Sequence, residues 1–208
     1  QKLQPYLEKR EINTLLKGIQ ESGLKASQII ANMLQFSRKS DSQHAPENLV
    51  TLMDKALELA GKDYSLKKKL DFRQIRITKE YDSDIPLIPC SSTEIEQVIL
   101  NLLQNAAWAM SSNMKKGPQA ISIQMKLEEE ALRIEIEDSG PGMDEETRIK
   151  VFEPFFTTKP VGEGTGLGLS VSYMIITNNH RGTMAVESEP GKGSKFIVRL
   201  PLDETIRL

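Results

Sequence analysis

Strand-type and helix-type patterns alternate along most of this chain, and that interleaving limits its fold more than any other feature. Residues 120–127 and 131–138 each read as a strand, and the acidic triplet Glu128-Glu129-Glu130 lies between them. Side chains repeating every two residues mark a half-buried strand, so the pair predicts an antiparallel hairpin. Residues 183–188 and 195–200 repeat the arrangement around Pro190-Gly191-Lys192-Gly193. Residues 72–81 alternate as well, with Ile75 and Ile77 on one face. Residues 49–60 and 93–110 carry helical spacing instead. Hairpins mixed with helices predict an α+β fold, a two-layer α/β sandwich in which helices cover one face of a mixed sheet.

The beginning of the chain is different. Ile12, Leu15, Leu16, Ile19, Ala26, Ile29, Ile30, Met33 and Phe36 recur at threes and fours. That spacing predicts one helix of about 28 residues with a single apolar stripe, about 42 Å long. Gly18 and Gly23 weaken it by about 1 kcal/mol each relative to Ala. A helix this long suits a bundle better than a small domain, because its stripe has no nearby apolar partner. The polar run at 40–47, with Pro46, reads as a linker. The expected division is a helical region at 1–44 and a folded domain at 45–208.

A net charge of −2 with interspersed signs gives no push toward nucleic acid or a membrane surface. No apolar run approaches the ~20 residues that span a bilayer. The lone Cys90 excludes an internal disulfide and fits a reducing, cytoplasmic setting for this portion. The chain opens on Gln1 and is read as a piece of a longer protein, cytoplasmic or anchored in the inner membrane through upstream regions.

Three segments carry chemistry. On a helix from Thr93, residues advance about 100° each. Glu94, Gln97, Asn101, Asn105 and Trp108 then fall within about 60° of one line, while Ile95, Ile99, Leu102, Leu103, Ala106 and Met110 occupy another sector. Asparagine is a poor helix former, so a line of amides is either plain surface or a set of neutral oxygens for a hard cation. In the strand ending Arg133-Ile134-Glu135-Ile136-Glu137-Asp138, alternation turns Asp138 to the same face as Ile134 and Ile136. A buried carboxylate needs a partner, which a ligand amino group can supply. Gly140 and Gly142 follow, leaving backbone open to a flat ligand. Finally Gly162-Glu163-Gly164-Thr165-Gly166-Leu167-Gly168 runs into an apolar helical stretch at 171–176. Dense glycines present N–H groups to an anion and suit a lid that closes over nucleotide. Between these segments Val151-Phe152-Glu153-Pro154-Phe155-Phe156-Thr157-Thr158-Lys159 reads as a hinge with a phosphate-reaching ammonium, or as a hydrophobic corner.

In this order the segments resemble the four boxes of the sensor histidine kinase ATP-binding domain. Its superfamily, with the Bergerat fold, also holds type II topoisomerases, MutL-type repair proteins and a heat-shock chaperone. EIEQVILNLLQNAAWA from Glu94 resembles the N box, DSGPG from Asp138 the G1 box, FEPFFTTK from Phe152 the F box and GTGLGLS from Gly164 the G2 box. SQIIANMLQFSR from Ser27 resembles the end of the second helix of the dimerisation bundle, and the nitrogen-regulatory type of sensor kinase is closest in flavour. The resemblance covers residues 48–202. It implies ATP and Mg²⁺ as ligands, a receiver domain of a response regulator as partner, and a homodimer formed through the bundle.

The resemblance also implies site roles. Asp138 would accept the adenine amine, which selects ATP over GTP. Asn105 would coordinate Mg²⁺, and Asn101 would support the phosphates. Gly140 and Gly142 would leave room around adenine. Gly164, Thr165, Gly166, Leu167 and Gly168 would wrap the phosphates with Lys159 nearby, and Ser194 would lie beside adenine.

Two positions depart from the pattern. Trp108 stands where many relatives carry Lys or Arg, and His180-Arg181-Gly182 replaces His-Gly-Gly. Asn101 stands where the hydrolytic branches of the superfamily carry a Glu that activates water. An amide is no base at neutral pH, so phosphoryl transfer is expected over hydrolysis, with a silent ATP-binding module as a further alternative. The accepting histidine is expected upstream of Gln1, because His44 lies in the linker and His180 in a turn.

Overall fold

The computed structural model describes residues 12, 15, 16, 18–20, 23, 44–62, 72–111, 119–160 and 163–203. Its main sheet has five strands: β2 (Arg76–Tyr81), β4 (Ala120–Leu127), β5 (Ala131–Asp138), β6 (Thr183–Glu189) and β7 (Gly193–Pro201). Their order is β2-β4-β5-β7-β6. β2 runs parallel to β4 and every other pair is antiparallel, so the sheet is mixed as expected. A separate pair joins β1 (Ala45–Glu47) to β3 (Ile88–Cys90).

Alternation divides the sheet into two unlike faces. Ile121, Ile123, Met125, Leu132, Ile134 and Ile136 are buried on one face, together with Phe196, Val198 and Leu200 of β7. Against them pack α1 (Leu49–Lys62) and α2 (Ser92–Ser111). α2 buries Ile95, Val98, Ile99, Leu102, Leu103, Ala106, Ala107 and Met110, the apolar sector read from the sequence and the two residues beside it. The other face is charged. Arg199 meets Glu128 at 2.8 Å, Lys195 meets Glu137 at 3.4 Å, and Arg133 pairs with Glu135. This is the two-layer sandwich of the expectation.

Two local readings are corrected. Residues 72–81 are not strand throughout: Phe72–Gln74 form a 3-10 turn that buries Phe72, and β2 begins at Arg76. The end of the expected linker is β1, with Pro46 opposite Pro89. Three residues around a proline carry no alternation to read, and their strand character comes only from the partner. Short α3 (Glu145–Lys150) is capped by Asp144, whose side chain accepts from the Thr147 N–H.

Of the expected first helix, the described residues Ile12, Leu15, Leu16, Gly18, Ile19, Gln20 and Gly23 are helical. Leu15, Leu16 and Ile19 are exposed. The rest of that helix, including 27–38, lies outside the described residues. Among the described residues no helix is long and apolar enough to cross a membrane.

Candidate functional site

A cavity of about 500 Å³ opens between α2, the end of β5 and the loops on either side of residue 160. It is lined by Asn101, Asn105, Asp138, Gly142, Lys159, Gly164, Thr165, Gly166, Gly168 and Ser194 among the residues singled out above. Gly140 and Leu167 do not line it. Leu167 is 1% exposed and belongs to the core, so only its backbone remains for a ligand. Phe156 of the FEPFFTTK segment supplies apolar wall, together with Met143 and Phe196, which were not singled out. Phe196 follows Ser194 by two residues on β7 and therefore shares its face, a signal present in the alternation.

One end of the cavity is built on Asp138. Strand register sets it opposite Ser194 and buries it to 5% exposure. Burial pushes its carboxyl up to about 6, against the opposing pull of the Gly140 and Ser194 backbone hydrogen bonds. The Gly140 N–H donates to Asp138 Oδ1 at 2.8 Å. A Cβ at position 140 would stand 2.6 Å from that oxygen, so this glycine clears space for the carboxylate itself. Gly142 has φ +69, and a Cβ there would lie 2.0 Å from the Glu189 carbonyl oxygen. Its missing side chain lets the turn after β5 close against the β6–β7 hairpin, where the Gly191 N–H donates to Pro141 O at 2.6 Å. Close packing inside the protein thus requires both glycines, and Gly142 also lines the cavity.

The other end is built on α2. Asn101 Nδ2 donates to Gly168 O and to Ser172 Oγ, both at 3.1 Å, which ties α2 to α4 (Gly168–Met174). With both amide hydrogens engaged, Asn101 has only its carbonyl oxygen to offer the cavity. One turn on, Asn105 Oδ1 accepts from the Lys159 ammonium at 2.8 Å. The same Nζ lies 5.0 Å from the centre of the Trp108 ring. The loops meet at Phe155, whose N–H donates to Gly166 O at 2.9 Å. Phe155 has φ 68, and a Cβ on Gly166 would fall 2.4 Å from its carbonyl carbon, so glycine is required there.

The histidines lie elsewhere. α4 continues into a π-turn at Ile175–Asn179, and the wide turn delivers His180 into the core at 4% exposure, not to the surface. His180 Nε2 accepts from the Ser91 N–H at 3.1 Å, which leaves Nδ1 to donate to Ile175 O at 2.9 Å. His44 stacks on this ring with centroids 4.6 Å apart. Arg181, where the resemblance expects glycine, takes φ 55. Burial lowers the His180 pKa, so its native form is neutral. Its contribution to stability is therefore present above its ordinary pKa of 6.5 and is lost as pH falls below that value. His180→Ala should destabilise the chain by about 1–3 kcal/mol at pH 7.5, since it orphans a buried N–H. Urea unfolding should show that deficit shrinking at pH 5.5.

The comparisons agree with the fold. Residues 90–204 match the family described as histidine kinase-, DNA gyrase B-, and HSP90-like ATPase. The chain is 36% identical over 178 residues to the signal transduction histidine-protein kinase AtoS of Escherichia coli K12, covering 85% of this chain and 27% of AtoS. It thus spans about a quarter of that relative's length. The solved catalytic domain of histidine kinase ThkA superposes with a TM-score of 0.63 at 30% identity, covering 78% of this chain and 98% of that one. ThkA in complex with the response regulator protein TrrA gives a TM-score of 0.71 at 28% identity, over 91% of this chain and 51% of that one. With a match over more than half of its 208 residues, the chain belongs to the histidine kinase-, DNA gyrase B- and HSP90-like ATPase family.

Proposed function

We propose that this chain is the ATP-binding catalytic portion of a sensor histidine kinase. It holds Mg·ATP and transfers the γ-phosphoryl group to a histidine on a helix outside the chain, for relay to a receiver domain. The observation that carries the reading is the cavity itself: a buried carboxylate at one end, and amide oxygens with an ammonium at the other.

Asp138, ionised above pH about 6, accepts the adenine amine. Guanine presents a carbonyl at that position, which repels a carboxylate. The glycine-rich loop at 164–168 and Lys159 face the phosphates. Asn105 is the residue that would hold Mg²⁺, because its Oδ1 already accepts a cation. Among the described residues no three acidic, His or Cys side chains could hold a metal by themselves, which fits a magnesium ion bound largely by nucleotide phosphates and water. When bound, Mg²⁺ would offset phosphate charge. Asn101, with both amide hydrogens engaged, acts through its oxygen, by way of the metal or a water, and offers the phosphates no direct donor.

Catalysis on this reading is positioning and charge neutralisation, with the nucleophile brought in from outside. A water-using ATPase is disfavoured because Asn101 has no basic group. His180 is buried with both ring nitrogens engaged and presents no free imidazole. The exposed Leu15, Leu16 and Ile19 support a bundle contact between two copies, with residues 1–44 as its partial helical region. The nitrogen-regulatory type is the subtype that the resemblance of the chain as a whole suggests. ThkA, which pairs with a response regulator, supports a receiver-domain partner.

The test is direct. With labelled Mg·ATP alone, this chain should carry no acid-labile phosphate. Adding a histidine-bearing helix that pairs with residues 11–39 should produce phosphohistidine on that helix. Phosphate recovered at His44 or His180, or rapid phosphate release without an acceptor, overturns the proposal.

A further inference from the structure

Trp108 lines the cavity, and the phosphoryl-transfer reading leaves it without a task. It lies three positions after Asn105 on α2, hence on the same helix face. Its Nε1 is buried and has no hydrogen-bond partner. What lies over the face of this indole is the Lys159 ammonium. Lys159 therefore bridges two groups of α2 at once, Asn105 Oδ1 at 2.8 Å and the Trp108 ring at 5.0 Å. A ring face attracts a cation through its quadrupole without adding charge.

The acceptor in this arrangement is the oxygen assigned above to the metal. Mg²⁺ sits about 2.1 Å from its oxygen ligands. Sharing Asn105 Oδ1 would hold it roughly 4 Å from the ammonium, where two cations repel strongly in a partly buried site. We propose that Trp108 is a positioning residue that parks Lys159 on Asn105 in the nucleotide-free cavity, so that Mg²⁺ reaches Asn105 only by displacing Lys159 toward the phosphates. Trp108 thus sets how strongly metal and nucleotide binding are coupled. Metal-free ATP demands no such displacement and can bind with Lys159 still in place.

This inference rests on the reading of Asn105 as the metal-binding residue, and the test separates the two. ATP affinity is measured by titration calorimetry with Mg²⁺ and with EDTA, and the ratio of the two is the coupling. Trp108→Leu removes the ring face and keeps the cation. It should raise the coupling about two- to fivefold, the worth of one cation–π contact, and the ratio divides out any change common to both forms of ATP. Trp108→Phe keeps a ring face and should stay close to wild type. Trp108 is also the only tryptophan. Wild-type emission should therefore change on adding Mg·ATP and stay nearly constant with ATP and EDTA. That measurement stands even if the leucine variant fails to fold. Equal weakening of both ATP forms in Trp108→Leu would make Trp108 a plain nucleotide contact and overturn the proposal. So would leucine and phenylalanine variants that behave alike, or emission that responds equally with and without metal. Wild-type affinity indifferent to Mg²⁺ would overturn the metal reading and this inference together.

Discussion

Asp138→Asn should weaken ATP binding by about ten- to a hundredfold, the worth of a hydrogen bond to a charged group. The ATP-over-GTP preference should fall with it, because an amide can turn its NH₂ toward the guanine carbonyl. Calorimetry with both nucleotides reads the two effects, and an unchanged preference removes Asp138 from base recognition. The same variant should shift stability with pH in a defined direction. Asp138 has its pKa raised from 3.8 to about 6 by burial, so the folded state holds its proton more tightly than the unfolded state does. Its contribution is full below pH 3.8, declines as pH rises through about 6, and is flat above. Relative to wild type, Asp138→Asn should therefore gain about 1–3 kcal/mol between pH 4 and pH 7.5 in the nucleotide-free state. Other carboxylates cancel in that difference. A site kept at the expense of stability is what a ligand-binding carboxylate predicts, and a flat difference would show that Asp138 is already well paired by its own backbone.

Asn105→Ala should remove most of the Mg²⁺ dependence of ATP binding while leaving metal-free binding within a few-fold. The loss should reach at least the 10–100-fold known for groups that merely support a metal ligand. Asn105 Oδ1 holds a cation already, at 2.8 Å. Truncation takes away that oxygen and leaves the Trp108 ring among the contacts of the Lys159 ammonium. Binding of ATP measured with Mg²⁺ and with EDTA separates metal from nucleotide. If Asn105→Ala kept the full magnesium effect, the ion would have to be held elsewhere, and the amide line on α2 would be ordinary surface. Asp138→Asn makes the contrasting case, since its loss should be equal with and without metal. The two variants therefore report on opposite ends of one cavity.

The two faces of α2 were legible before any fold was in view. A period of 3.6 sorts its residues into an apolar sector and a polar line, and burial follows that division from Ile95 to Met110. Asp138 was legible for the same reason, because alternation assigned it to the face of Ile134 and Ile136. The reasons behind Gly140 and Gly142 were not. Their neighbours in space are the Asp138 carboxylate and the Glu189 carbonyl, and the second of these belongs to a hairpin far along the chain. His180 read as an ordinary surface or turn histidine because nothing in its flanking residues marks a π-turn that carries it inward to the Ser91 N–H.

The sequence by itself determined which segments become strands and helices, and which side of each is apolar, since both follow from the repeat of side chains along a single element. It also determined the order in which the nucleotide-binding segments occur. The tertiary structure alone decided how those segments combine: that β2 lies parallel to β4 at the sheet edge, that Pro46 and its two neighbours find a partner at Ile88–Cys90, and that Lys159 crosses 54 positions to meet Asn105. Such contacts leave no periodic trace, because the repeat within one segment does not say which residue of another it will meet. They become one site only when burial of the β4, β5 and β7 faces fixes α2 over the sheet and draws the loops around residue 160 across its polar line.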